Sequence, residues 1–423
     1  MLGWPGCRTR IAALLLVGLA ACGGEDRPTP TAPPPPAATR EERWVQDVDY
    51  LASELPRLHP NLFFHASRGE FDAVVAQVRT TAATARDHEV VAGLMRITAV
   101  ARDAHTAAYR WRGFRYLPLV LTRFSDGLYV TAASAPLGAA LGLRVVAVGD
   151  VEAAALEARA APFVSYENEA WQRLQVAQLL AIPEMLHVLG ATTDPAAATF
   201  RLEASDGTRV QLDVSALASP ATLVDVTTAS GAPLPLHQQR SGENYWLTLV
   251  EESRTLYLHY RRCQNGSEPF NSVADRAFGL MDRGAADRLV VDVRHNGGGN
   301  SEVDDRLIEG LQSRSTWRQR GRLYCLIGSG TFSSGMWTAD DLRKLGALLV
   351  GSPTGGKPNS YGNTSTLQLP NSLLPVSYST RHYQLVVGSD PPWLAPELAV
   401  DETIADLRAG RDPLLEAAVT DRR

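Results

Sequence analysis

The chain has 423 residues, 45% apolar and 21% charged, with a formal net charge of −5. That length allows two or three compact units with a sizeable core. Without a basic run or a positive balance, no nucleic-acid partner is expected. Cys263 and Cys325 have no metal-ligand spacing, and no metal or cofactor is expected.

Arg8 and Arg10 precede an apolar run, 11–21, that is too short for a permanent membrane span and has the layout of a secretory signal. The run ends Leu19-Ala20-Ala21-Cys22, which resembles the lipobox of bacterial lipoproteins. The resemblance implies a signal peptide over 1–21 and a lipid on Cys22. With Gly23 rather than Asp next, it implies an outer-membrane anchor facing the periplasm or exterior. Residues 22–40, with prolines at 33–36, read as an extended tether. Only Cys263 and Cys325 remain for the mature fold, either as a disulfide or as buried free thiols.

From residue 41 the period becomes helical. Trp44, Val48, Leu51, Leu55 and Leu58 share one face, and two further helices carry Phe71, Val74, Val75 and Val78, then Val90, Val91, Leu94, Ile97 and Val100. This helical unit covers 41–112 and contains Asp103-Ala104-His105-Thr106. A middle region, 113–235, alternates at Leu117, Leu119 and Leu121, turns helical over 166–190 and predicts a hairpin around Asp206-Gly207. Its stretch 136–149 faintly resembles half of a PDZ domain. The remainder, 236–423, alternates strand and helix, which predicts a mostly parallel sheet covered by helices.

Three motifs in this last unit carry chemistry. Gly330-Thr331-Phe332-Ser333-Ser334-Gly335 follows an apolar strand and opens a helix. A serine hydroxyl there stands at the carboxyl end of the sheet, beside unpaired first-turn N–H groups. Such a serine can equally be a helix cap, and the motif alone does not choose between Ser333 and Ser334. Asn296-Gly297-Gly298-Gly299 allows close backbone approach and can supply oxyanion N–H donors. Gly351-Ser-Pro-Thr-Gly-Gly-Lys357 contains one of only two lysines, Lys344 and Lys357, among 41 Lys and Arg residues. Arginine cannot serve as a general base and lysine can, so a lysine kept in this turn suggests proton abstraction.

Together, Asp292-Val-Arg-His-Asn-Gly-Gly-Gly299, Thr331-Phe-Ser-Ser-Gly335 and Gly351-Ser-Pro-Thr-Gly-Gly-Lys357 resemble the core of the tail-specific (C-terminal-processing) serine proteases. The resemblance covers roughly residues 240–420 and implies a crotonase-like (ClpP-like) α/β core with a degenerate PDZ-like middle region. It implies a serine endopeptidase acting on peptide or protein substrates, with Ser334 as nucleophile and Lys357 as base. Gly335 then gives one oxyanion N–H, and Gly297 or Gly298 the other. Tyr361 stands where the family's Ser-Lys members have a glutamine that orients the lysine. Relatives resembling tricorn protease use a histidine base, for which His105 with Glu397 in Ala-Pro-Glu-Leu is the alternative set. The same fold resembles interphotoreceptor retinoid-binding protein, so a non-catalytic ligand-binding module is a further alternative, as is an esterase.

Overall fold

The computed structural model describes residues 28–108 and 112–422, so the signal segment 1–21 and Cys22 lie outside the described residues. Residues 28–38 form neither helix nor strand, yet they do not run free. Thr31 bonds through its N–H and hydroxyl to Glu54, and Tyr50 donates to Thr31 O (2.7 Å), which lays the proline-rich stretch along the first helix.

That helix is Arg40–Leu58, opened by a capping box of Thr39 and Glu42. Its apolar face is buried at Trp44, Val48, Leu51, Leu55 and Leu58. Helices Arg68–Ala82 and Asp87–Ala99 pack beside it. The middle region forms an antiparallel sheet in the order 119–124, 127–133, 144–148, 197–203, 209–215, with short strands 151–152 and 224–225 alongside. Helices Glu169–Leu179 and Pro183–Val188 fall where the period turns helical.

The second large sheet has strands 245–250, 255–260, 288–292, 323–327, 348–351 and 398–399 as successive neighbours. All its pairings are parallel except that of the first two strands. Its inner strands are apolar along their whole length because both faces are covered. Leu289, Val291, Leu323, Cys325 and Ile327 pack under helices Phe270–Asp282, Asp305–Gln312 and Ser334–Lys344. Val290, Tyr324, Leu326 and Val350 point the other way, onto Leu414 and Ala418 of helix Pro413–Thr420.

A long ribbon, strands Asn359–Gln368 and Pro375–Gln384, leaves this sheet and crosses to the N-terminal helices. Leu367, Leu369, Val376 and Tyr378 share one apolar core with those helices and with the middle region. At its tip, Asn371 N–H and Ser372 N–H both bond to the carboxylate of Asp47 (2.9 and 2.8 Å). The ribbon also pairs with Ala107 and Ala108, which fixes the segment just after the helices near the turn that follows strand 323–327.

Cys263 and Cys325 are buried free thiols, and burial pushes the Cys263 thiol up to about 11. No disulfide joins them.

Arg294, from the Asp292-Val-Arg motif, is buried and serves structure. It grips Asp412 with two bonds of 2.9 Å and Asp292 with bonds of 3.0 and 2.9 Å. His237 adds a contact to Asp412 (3.0 Å) and Tyr257 one to Asp292 (2.5 Å). Asp412 caps helix Pro413–Thr420 through Leu415 N–H (3.1 Å), so this cluster ties the last helix to the sheet.

Candidate active site

Strand Leu323–Ile327 ends in a turn that is pinned to the neighbouring glycine loop. Thr331 Oγ1 donates to Val293 O (2.8 Å), and Phe332 N–H donates to Asn296 O (2.9 Å). The two backbones touch at Gly335, where a Cβ would lie 2.4 Å from Asn296 O. Locked on both sides, the chain must reverse into helix Ser334–Lys344 within one residue. Ser333 takes that step at φ 52° and ψ −131°. A non-glycine residue there carries strain of roughly 1–3 kcal/mol. A strained serine between a buried strand and a helix has the form of a nucleophile elbow.

The two serines are therefore not equivalent. Ser334 is 8% exposed, and its hydroxyl donates to Gly299 O (2.8 Å). Ser333 is more open and lies against Gly298, where a Cβ would stand 2.7 Å from Ser333 Cβ. Gly298 adopts φ 96°, so both its conformation and its closeness to Ser333 require glycine.

Two of the expected oxyanion donors are already used. Gly335 N–H bonds to Phe332 O (3.0 Å), and Gly298 N–H bonds to Asn296 Oδ1 (2.9 Å). Among the described residues, Ser334 N–H and Gly297 N–H have no acceptor. The Ser334 N–H directly follows Ser333, the position an oxyanion donor takes after an elbow nucleophile.

His105 reaches this place through the ribbon. Its N–H bonds to Asp103 Oδ1 (2.9 Å), Thr106 accepts from Ser379 N–H (3.2 Å), and Ala107 pairs with Ser377. The imidazole stacks on Phe332, next to Ser333, with centroids 4.5 Å apart; Trp171 stacks on Phe332 at 4.1 Å. Neither ring nitrogen has a side-chain hydrogen-bond partner among the described residues, while the Tyr361 backbone faces the ring and the side chain is only 11% exposed. Burial pushes His105 below the ordinary imidazole range, and the charge of Asp103 opposes that shift. His105, Ser333, Ser334, Gly297 and Trp171 line one cleft of about 480 Å³.

The Lys357 ammonium and the Glu397 carboxylate are engaged by other partners. Lys357 Nζ donates to Asp390 Oδ2 (2.6 Å), a partner from a distant segment that the sequence reading did not foresee. Glu397 Oε2 accepts Leu349 N–H (2.8 Å) at the sheet edge. The carboxylates within 4.0 Å of His105 are those of Asp103 (3.9 Å) and Glu167 (4.0 Å), both absent from the expected set. His59, given no role from sequence, contacts Asp103 at 3.0 Å.

No family model matches the sequence, and no curated protein matches it. Solved structures do match in fold. The structure of mature CPAF complexed with lactacystin superposes with a TM-score of 0.62 at 12% identity, covering 89% of this chain and 97% of that one. A second structure of mature CPAF gives 0.59 at 13% identity, covering 89% and 96%. The chain thus has the CPAF fold over nearly its whole described length.

Proposed function

We propose that this chain is a serine peptidase of the cell envelope in which Ser333 attacks the scissile carbonyl and His105 removes its proton. One observation carries the reading: a strained elbow serine shares a cleft with a buried imidazole that has no side-chain hydrogen bond among the described residues. Ser334 N–H and Gly297 N–H are the donors left for the oxyanion. The serine then forms an acyl-enzyme that water resolves. The likeness to CPAF supports the fold in which this chemistry is set. The parallel sheet with its helices is read as the crotonase-like catalytic core, and the antiparallel middle region as a degenerate PDZ-like part.

The test is the rate of fluorophosphonate labelling against pH. His105 must be neutral to accept a proton, so the rate rises with pH through the His105 pKa. Burial lowers that pKa, so the rise is centred at or below about 6.5 and His105→Ala abolishes it. A rise centred above neutrality and abolished by Lys357→Ala returns the proton transfer to lysine. No labelling at any pH favours a binding module.

The envelope location rests on the Leu19-Ala-Ala-Cys22 motif. Among the described residues, no helix is long and apolar enough to cross a membrane. Cys22→Ser is expected to move the protein from the membrane fraction to the soluble fraction. Retention through detergent-free washes contradicts lipid anchoring at Cys22.

A further inference from the structure

The start of helix Asp87–Ala99 meets the end of helix Pro183–Val188, and three side chains with metal-binding atoms converge there. His88 Nε2 and His187 Nδ1 lie 3.1 Å apart, although the residues are 99 positions apart in the chain, so no local spacing announces them. Glu89 Oε1 lies 4.0 Å from the same His187 nitrogen, and the three atoms all fall within 4.8 Å of one another. The imidazole planes cross at 75°, edge to face rather than stacked.

Local structure holds each group in place. Glu89 is the third residue of its helix, and its Oε2 accepts Arg86 N–H (2.7 Å), which leaves Oε1 facing His187. His88 is buried, while the side chains of His187 and Glu89 are 13% and 35% exposed, so an ion can reach the cluster from water. Glu184, one turn before His187, is spent on Arg115 (2.9 Å) and stays outside the set. Two nitrogens on one tetrahedral ion, each at about 2.0–2.1 Å, stand roughly 3.3 Å apart. The observed 3.1 Å is already near that value, and a shift of about 1 Å brings Glu89 Oε1 to a matching distance.

We propose that His88, Glu89 and His187 form a binding site for a divalent transition-metal ion, zinc being the best match. Two imidazoles and one carboxylate suit Zn²⁺ and leave one position open to water, whereas Mg²⁺ and Ca²⁺ call for oxygen ligands. Arg86 is the built-in competitor. Its Nη1 lies 3.3 Å from His187 Nε2 and can only donate, so the neutral His187 ring keeps its proton on Nδ1 and donates it to His88 Nε2. Metal binding moves that proton to Nε2 and displaces the exposed Arg86 side chain. The ion joins two walls of the cleft that holds Ser333. Met95 lies two turns along the helix of His88, Ile182 precedes the first residue of the helix of His187, and both line that cleft.

The test is calorimetric titration of tag-free, chelator-stripped protein with Zn²⁺. His187→Ala is expected to weaken binding at this site by roughly 100-fold or more and Glu89→Gln by at least roughly tenfold, since even an outer partner of a metal ligand is worth 10–100-fold. Arg86→Ala should tighten binding severalfold, because it removes a like charge and the bond on Nε2. Excess Mg²⁺ should not compete. Zn²⁺ held equally by the wild type and His187→Ala, or no binding to the wild type, overturns the proposal and leaves the two imidazoles a hydrogen-bonded pair. If His187→Ala does not fold, ¹⁵N spectra of the wild-type chain decide. Zn²⁺ should shift His88 Nε2 and His187 Nδ1; shifts confined to other histidines contradict the site.

Discussion

Ser333→Ala is expected to lower hydrolysis and fluorophosphonate labelling by on the order of 10⁴-fold or more, while Ser334→Ala stays within about tenfold of wild type. The difference follows from what each hydroxyl does. Ser334 already donates to Gly299 O, so its loss removes a neutral hydrogen bond of about 1 kcal/mol from a tightly packed turn. Ser333 stands at the strained step and lines the same cleft as the buried imidazole of His105. Alanine at 333 keeps the same backbone demand, so both variants should fold, and circular dichroism with a melting curve verifies this. A dead Ser334→Ala together with an active Ser333→Ala would return the nucleophile to Ser334.

The second large effect concerns stability. Arg294→Met leaves the carboxylates of Asp292 and Asp412 buried without their shared guanidinium. Breaking a buried pair from one side costs about 3–5 kcal/mol, because a charge remains uncompensated. The pH dependence has a definite sign. In the wild type, burial would raise both carboxyls, but Arg294 outweighs it and holds them low. Their contribution is therefore present above the unfolded range near 3.9 and is lost as pH falls below it. In Arg294→Met the same carboxyls are raised, so the deficit is greatest near neutrality and shrinks toward pH 4. Urea denaturation of both chains at several pH values measures this. A deficit under 1 kcal/mol near neutrality, or one that grows toward acid, contradicts the account.

The sheet of the last third was legible because its inner strands are buried on both faces. The apolar runs at Leu289–Val293 and Leu323–Ile327 have no other economical explanation, and the structure places strands at 288–292 and 323–327. The glycine loop was legible for a related reason, since only glycine allows the approach of Gly298 to Ser333. Choosing between Ser333 and Ser334 was beyond residue type. It depends on a backbone angle imposed by two loops clamped together, and adjacent serines look alike in a sequence. Lys357 stood out because lysine is rare in this chain, but its partner Asp390 lies far along the chain, with no pattern linking the two. Likewise, the approach of His105 to Phe332 depends on the ribbon pairing Ala107 with Ser377, a contact between segments that carry no local signal for each other. Glu167 gave no sign at all. A glutamate in a polar stretch reads as solvated, and only tertiary packing buries it.

The central claim is that this cleft holds a serine nucleophile at position 333. Its most direct test is to label the wild-type chain with a fluorophosphonate, digest it and locate the adduct by mass spectrometry. The account predicts one adduct, on Ser333, absent from His105→Ala; an adduct on Ser334, or none, would contradict it.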